Sequence, residues 1–338
     1  MRQIKRVAVL GAGVMGATIA AHLANAGLDV RLFDIIPKEP TADEQAQGLT
    51  LESPQVRNRI ARDGLAGLLK MKPAPFYLSS FADRISIGNL EDDLSQLKDC
   101  DWVIEVVIEH LPIKKQLLEK LIPHLTPGTI LSSNTSGLSI NEMAQVLPPE
   151  IRKNFLITHF FNPPRYMRLL EIVPCRETDP AVVAGMADFI SRRLGKGIVY
   201  AKDTPNFIAN RIGIFSILAT MHHARQFELG FDLVDKLTGS LIGRPKSATF
   251  RTADLVGLDI LMHVIQTMQD NLADDPWHGF YTAPDWLDKL VKEGSLGQKT
   301  GKGVYQKQGK EIHVLDPDRE TYRLAEQEVD DEVEALLK

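Results

Sequence analysis

His159 and Glu171 are of the right types and spacing to move a proton. They lie in T-H-F-F-N-P-P-R-Y-M-R-L-L-E-I-V-P, residues 158–174, where two apolar runs, 155–161 and 167–173, flank a loop holding Pro163 and Pro164. Each run has the length of a buried strand. Folded back as a hairpin about Arg165, the strands bring His159 opposite Glu171, and cross-strand neighbours touch. A carboxylate beside an imidazole fixes its tautomer and stabilises the imidazolium as it forms. The plain alternative is a core histidine satisfied by a nearby acid.

A second group could hold phosphate. Gly11, Ala12, Gly13, Val14, Met15 and Gly16 form G-A-G-V-M-G after the short β-branched run 6–10, and an Ala-rich helical pattern follows to Asn25. Gly11 allows the tight turn, Gly13 lets a pyrophosphate approach the backbone, and Gly16 lets the helix pack closely on the strand. The helix N-terminus then faces the phosphate charge. The next strand, 30–33, ends at Asp34, which can accept from a ribose 2′-hydroxyl and disfavours a 2′-phosphate. NAD is therefore the expected cofactor. A Gly-rich turn without a ligand is the alternative, and the strand, helix and acid around it argue against that.

These groups need a parallel sheet. After Asp34 the segment 37–80 is polar and Pro-rich, an excursion with a helix or helical pair near 55–70. Its Arg57, Arg59, Arg62, Lys70 and Lys72 could meet a phosphorylated ligand, but such a set is more often a solvated face and no site residue is assigned there. The α/β rhythm resumes with strands at 84–87, 102–107 (apolar except for Glu105) and 129–131. Ser132, Ser133, Asn134, Thr135 and Ser136 follow the last of these, on the edge where open parallel sheets bind ligands; they also suit a helix cap. After the hairpin come a helix at 181–194 and a last strand at 198–201. Asp203-Thr204-Pro205 reads as a helix start, and the helix from 207 to about 224 is apolar nearly all round and expected to be buried. Asn206 and Asn210 are placed in it one turn apart, as donors to a substrate carbonyl or as a helix–helix hydrogen bond. The pattern from here is all helix. The expected domains are a Rossmann-type doubly wound α/β domain over 1–201, a smaller all-α substrate and dimerisation domain over 202–308, and a charged tail or linker over 309–338.

The 338-residue length suits two domains. A net charge of −5 leaves no basic footprint for nucleic acid or an anionic membrane. Cys100 and Cys175 are too few for a disulfide framework and suit a reducing compartment, so a cytoplasmic location is expected. The basic start followed by the uncharged run 7–21 resembles a signal peptide, but the glycines inside it and the strand directly after it argue against one. No apolar run is long enough to span a bilayer. No metal signature and no G-x-S-x-G motif occurs.

Taken together, the motifs resemble the 3-hydroxyacyl-CoA dehydrogenase family. The matching pieces are G-A-G-V-M-G with Asp34, E-H-L-P-I-K at 109–114, S-N-T-S at 133–136, H-F-F-N-P-P at 159–164 and Glu171. D-T-P-N-F-I-A-N-R at 203–211, D-L-V-G-L-D at 254–259 and K-T-G-K-G-V-Y at 299–305 complete the set, in family order over about 4–306. The resemblance implies a His159–Glu171 catalytic dyad, substrate positioning by Ser136 and Asn210, and cofactor contacts from Glu109, Lys114, Ser136, Asn162 and Lys299 besides the Gly loop and Asp34. It implies an acyl-CoA substrate, oxidation of a 3-hydroxyacyl thioester in fatty-acid β-oxidation, and a homodimer. The family's CoA contacts fall in the excursion, where this chain differs too much to assign residues. The excursion and tail look closer to the dehydrogenase part of multifunctional β-oxidation proteins, which carry an enoyl-CoA hydratase in the same chain. A piece of such a protein and a single-function relative both fit. N-P-P-R-Y is instead similar to relatives acting on sugar acids or carnitine. A non-CoA 3-hydroxy acid dehydrogenase and a non-catalytic NAD-binding protein therefore remain as rivals.

Overall fold

The computed structural model describes residues 3–325. The chain divides into two compact units, Met1–Phe207 and Ile208–Lys338. The first keeps the segment 202–207 that the sequence pattern assigned to the second.

The first unit is an eight-stranded sheet in the order β3-β2-β1-β4-β5-β6-β7-β8. Its strands are β1 (Arg6–Leu10), β2 (Asp29–Asp34), β3 (Ile85–Asn89), β4 (Trp102–Glu105), β5 (Ile130–Ser133), β6 (Phe155–Phe160), β7 (Leu169–Pro174) and β8 (Gly197–Tyr200). The first six run parallel, β7 is antiparallel to β6, and β8 is parallel to β7. Its helices are α1 (Val14–Asn25), α2 (Ala42–Ala46), α3 (Pro54–Arg57), α4 (Arg59–Leu68), α5 (Leu111–Leu121), α6 (Ile140–Ala144), α7 (Pro149–Arg152) and α8 (Pro180–Leu194). Side chains alternate across a strand. So Val7 and Val9 join one buried cluster with α1 and α8, while Ala8 and Leu10 join another with α5 and α6. Both faces are covered, as a parallel sheet requires. The excursion carries the expected helical pair, α3 and α4, broken at Asn58.

The second unit holds α9 (Ala209–Gln226), α10 (Phe231–Leu237), α11 (Phe250–Val256), α12 (Leu258–Asn271) and α13 (Asp285–Lys292) around its own apolar core. It is not all helix. β9 (Tyr305–Gln308), β10 (Glu311–Asp316) and β11 (Thr321–Leu324) form a three-stranded antiparallel sheet. The expected tail is thus a hairpin over 311–324, whose Val314 and Leu315 are buried in that core. Alternation of apolar and polar residues in E-I-H-V-L-D outweighs the charge that suggested a linker; the remainder of the tail, 326–338, lies outside the described residues.

Two further expectations change around residue 205. Asp203 does not cap the helix that follows it. Its carboxylate accepts from the main-chain N–H groups of Ile140 (3.0 Å) and Asn141 (3.2 Å) and from the Ser139 hydroxyl (2.7 Å), so it caps α6. Asn206 and Phe207 have φ of 59° and 48°, which delays α9 to Ala209 and leaves Asn206 outside the helix that carries Asn210. Nor is α9 buried all round: only Leu218, Met221 and Ala224 are fully covered, and Ile212 is 64% exposed.

Candidate active site

His159 on β6 pairs in register with Glu171 on β7, as the hairpin argument predicts. Its Nδ1 lies 2.8 Å from Glu171 Oε2, and both residues are buried, at 5% and 0% exposure. The Phe161 ring is centred 4.4 Å from the imidazole and Phe207 packs edge-on at 5.7 Å. With Glu171 taking the Nδ1 proton, Nε2 is the nitrogen left to exchange a proton with a ligand. The end of β6 is held by Asn134, whose side-chain oxygen accepts from Phe160 N at 2.8 Å. Asn134 entered the sequence analysis only as one of a run of small polar residues.

The Gly loop lies between β1 and β4, where the strand order reverses and open sheets bind ligands. Gly11 has φ +114° and sits so close to β4 that a Cβ there would come within 2.4 Å of the Val106 carbonyl oxygen. A Cβ at Gly16 would lie 1.8 Å from the Gly11 carbonyl oxygen. At Gly13, by contrast, a Cβ would meet nothing within 4 Å, so the backbone there is open to a ligand. No side chain caps α1 and its first turn has no acid, which leaves the helix N-terminus to an outside anion. Val14 is exposed beside it. Asp34 at the end of β2 accepts from Ala12 N at 2.5 Å and so sits against this loop. These residues fit a dinucleotide: phosphate on the loop and a ribose hydroxyl on Asp34.

Beyond β4 and β5 lies a charged network. Lys114 donates to Glu105 Oε1 at 2.7 Å and to the Val107 carbonyl at 3.1 Å, and it lies 3.4 Å from Glu109. Glu109 accepts from the Thr135 hydroxyl (2.6 Å), Ser136 N (2.9 Å) and the Ser136 hydroxyl (3.1 Å). Burial pushes the Glu109 carboxyl up, but the Lys114 charge and these hydrogen bonds together hold it below its usual value. The expected pair Glu109 and Ser136 is therefore brought together. Lys114, expected as a cofactor contact, is 1% exposed and its ammonium is enclosed by Glu105 and Glu109. Glu105, fully buried and also bonded by the Ser133 hydroxyl, is the partner that sequence reasoning missed. Its signal was present, as the one charge in an otherwise apolar strand.

Asn162 is exposed in the turn between β6 and β7. Asn210 and Lys299 belong to the second unit. Asn210 lies in the first turn of α9. Lys299 donates to both oxygens of Asp259, at 2.6 Å each. Its loop is anchored by Asp254, which accepts from Val304 N and Tyr305 N at 2.8 Å. Among the described residues no cluster of three or more His, Cys, Asp or Glu could hold a metal ion, and no helix is long and apolar enough to cross a membrane.

A dinucleotide-type sheet with a buried imidazole–carboxylate pair is the architecture of an NAD(P)-dependent dehydrogenase. Comparison with known proteins narrows this. The 3-hydroxyacyl-CoA dehydrogenase NAD binding domain matches residues 6–204, and the C-terminal domain of the same family matches 207–307. The chain belongs to the 3-hydroxyacyl-CoA dehydrogenase family. It is 48% identical over 321 residues to a probable 3-hydroxyacyl-CoA dehydrogenase of Bacillus subtilis, covering 95% of this chain and 41% of that one. It is 44% identical over 306 residues to a probable 3-hydroxyacyl-CoA dehydrogenase of Deinococcus radiodurans, covering 90% and 83%. A putative fatty acid oxidation complex trifunctional enzyme of Rickettsia felis is 39% identical over 305 residues, of which the match spans 90% of this chain and 40% of the relative. The chain thus spans about two fifths of the Bacillus and Rickettsia proteins. Among solved structures, the (S)-3-hydroxybutyryl-CoA dehydrogenase of Ralstonia eutropha superposes with a TM-score of 0.70 at 27% identity, over 90% of this chain and all of that one.

Proposed function

We propose that the chain interconverts a (3S)-3-hydroxyacyl-CoA and its 3-oxoacyl-CoA with NAD, as in fatty-acid β-oxidation. The observation that carries this is the buried His159–Glu171 pair on a sheet whose Gly loop fits a pyrophosphate. Bound NAD would supply the hydride acceptor. His159 takes the C3 hydroxyl proton at Nε2 during oxidation and returns it during reduction. Glu171 orients the ring and stabilises it when charged. Ser136 and Asn210 hold the substrate oxygens, and Glu109, carried by Lys114 and Glu105, fixes Ser136. Asp34, Asn162 and Lys299 serve the cofactor, with NAD preferred to NADP because Asp34 repels a 2′-phosphate.

The rival with a non-CoA acid would need a cation for the free carboxylate. Arg165, in the turn that resembles those relatives, donates instead to the carbonyls of Ala74 (2.6 Å) and Phe76 (2.9 Å). A non-catalytic role would leave a buried imidazole–carboxylate pair, aligned across two strands, without purpose. Turnover of acetoacetyl-CoA should exceed that of free acetoacetate by about 1000-fold in kcat/KM, because binding energy from the remote CoA lowers the barrier. Equal rates would return the non-CoA reading.

A homodimer is part of the same proposal. Ile212, Phe227, Leu241, Ile242, Leu255, Val256 and Ile260 are apolar side chains exposed on the second unit, which a partner copy could cover. Light scattering should give twice the 37.6 kDa chain mass, and a monomer at micromolar concentration would remove the proposal. An enoyl-CoA hydratase, in the same natural chain or associated with it, is the proposed neighbour. It should appear as hydratase activity co-purifying from the native source, and its absence there would count against the association.

A further inference from the structure

Lys196 follows the left-handed Gly195 that ends α8 and is 4% exposed. A buried ammonium ordinarily pairs with a carboxylate, because leaving water is costly. Among the described residues no carboxylate pairs with this one. The ammonium donates to two main-chain carbonyls, those of Pro164 and Met167, the latter at 2.7 Å, and it lies 5.9 Å from the Phe160 ring centre. Nearby, Lys196 and Arg165 both bear on His22 of α1, each disfavouring its charged form. Burial draws the Lys196 pKa down to about 8 and that of His22 to about 4, so His22 is neutral at neutral pH.

Both carbonyls belong to the turn joining β6 to β7. The β6–β7 ladder ends at Phe160 opposite Leu170; beyond it the turn has main-chain bonds from Tyr166 and Met167 to the Pro163 carbonyl and from Gly197 to the Arg168 carbonyl, and side chains supply its other ties. Arg165 and the Tyr166 hydroxyl (3.0 Å from Ala74 O) tie it to the excursion. Lys196 ties it to the β8 side. The turn starts directly after the strand that carries His159, and it contains Asn162.

We propose that Lys196 is a positioning residue. By holding the Pro164 and Met167 carbonyls it fixes the turn so that Asn162 is held in place to serve the cofactor. This rests on the functional reading above. A charged donor bound to two carbonyls is stronger than a neutral one, and that is what a turn outside the ladder needs.

The test uses the full chain, with NADH affinity from fluorescence titration and turnover of acetoacetyl-CoA. In Lys196→Met the Kd and KM for NADH should rise about tenfold, equivalent to one lost charge-assisted contact, while kcat stays within about twofold. Lys196→Arg, which also offers two N–H groups to the carbonyls, should recover most of the affinity. Asn162→Ala should show a similar rise, and the double variant should be no worse than either single one, because the two act in series. If Lys196→Met does not fold, Lys196→Gln carries the same comparison. Unchanged NADH affinity in the variant, a kcat that falls in step with thermal stability, or additive effects with Asn162→Ala would each overturn the proposal. A wild-type chain that binds NADH but turns over no thioester would instead overturn the functional reading and leave the role of Lys196 in cofactor affinity to be judged from the titration.

Discussion

His159→Gln should lower kcat for acetoacetyl-CoA reduction by about 100- to 10,000-fold, the range that general acid–base catalysis supplies, and leave the Kd for NADH within about twofold. Glutamine is the informative replacement. Its neutral polar side chain is of similar length to histidine, so the buried Glu171 is not left facing an apolar replacement. What disappears is the ring nitrogen proposed to exchange the proton with the substrate hydroxyl. Alanine would mix that loss with a cavity beside Phe161 and Phe207. Stopped-flow absorbance at 340 nm with saturating NADH reads the chemical step directly. Turnover within threefold of wild type would mean that another group moves the proton and that the pair is structural.

Gly16→Ala should remove NADH binding by about 100-fold or more and also destabilise the first unit. The added Cβ would lie 1.8 Å from the Gly11 carbonyl oxygen, and backbone, not a flexible side chain, must give way. Overpacking of this kind costs about 1–3 kcal/mol, which corresponds to roughly 2–4 °C of melting temperature per kcal/mol in a domain of this size. The displaced loop is the one proposed to meet the pyrophosphate, so cofactor affinity is expected to fall further than stability does. The contrast with His159→Gln is the useful part: one variant binds NADH and does not turn over, the other is folded and does not bind. Isothermal titration with NADH and a thermal melt separate the two effects. A variant with wild-type NADH affinity would show that the loop is not the phosphate site.

The parts legible in the sequence were those set by short-range rules. Two apolar runs about a Pro-containing turn fixed the register that joins His159 to Glu171. The spacing of Gly11, Gly13 and Gly16 marked a tight turn against β4. What periodicity could not carry were contacts between distant segments. Asp203 looked like the cap of its own helix, yet its donors come from α6, more than sixty residues away. Lys114 carried its family role as a cofactor contact, but only the fold shows Glu105 and Glu109 closing over its ammonium. The apolar content of α9 implied burial on every side, because a sequence does not say which apolar face is covered by its own chain. The tail failed for a different reason: counting its charges hid a real hairpin, which buries Val314 and Leu315 and pairs Arg323 with Asp232 of the helical part.

The central claim is a hydride moved between C3 of a CoA thioester and the nicotinamide. It is tested most directly by incubating the wild-type chain with acetoacetyl-CoA and NADH carrying deuterium at both C4 positions, then weighing the product. The account predicts 3-hydroxybutyryl-CoA heavier by one deuterium, located at C3. Product without the label, or no consumption of NADH while it remains bound, would contradict it.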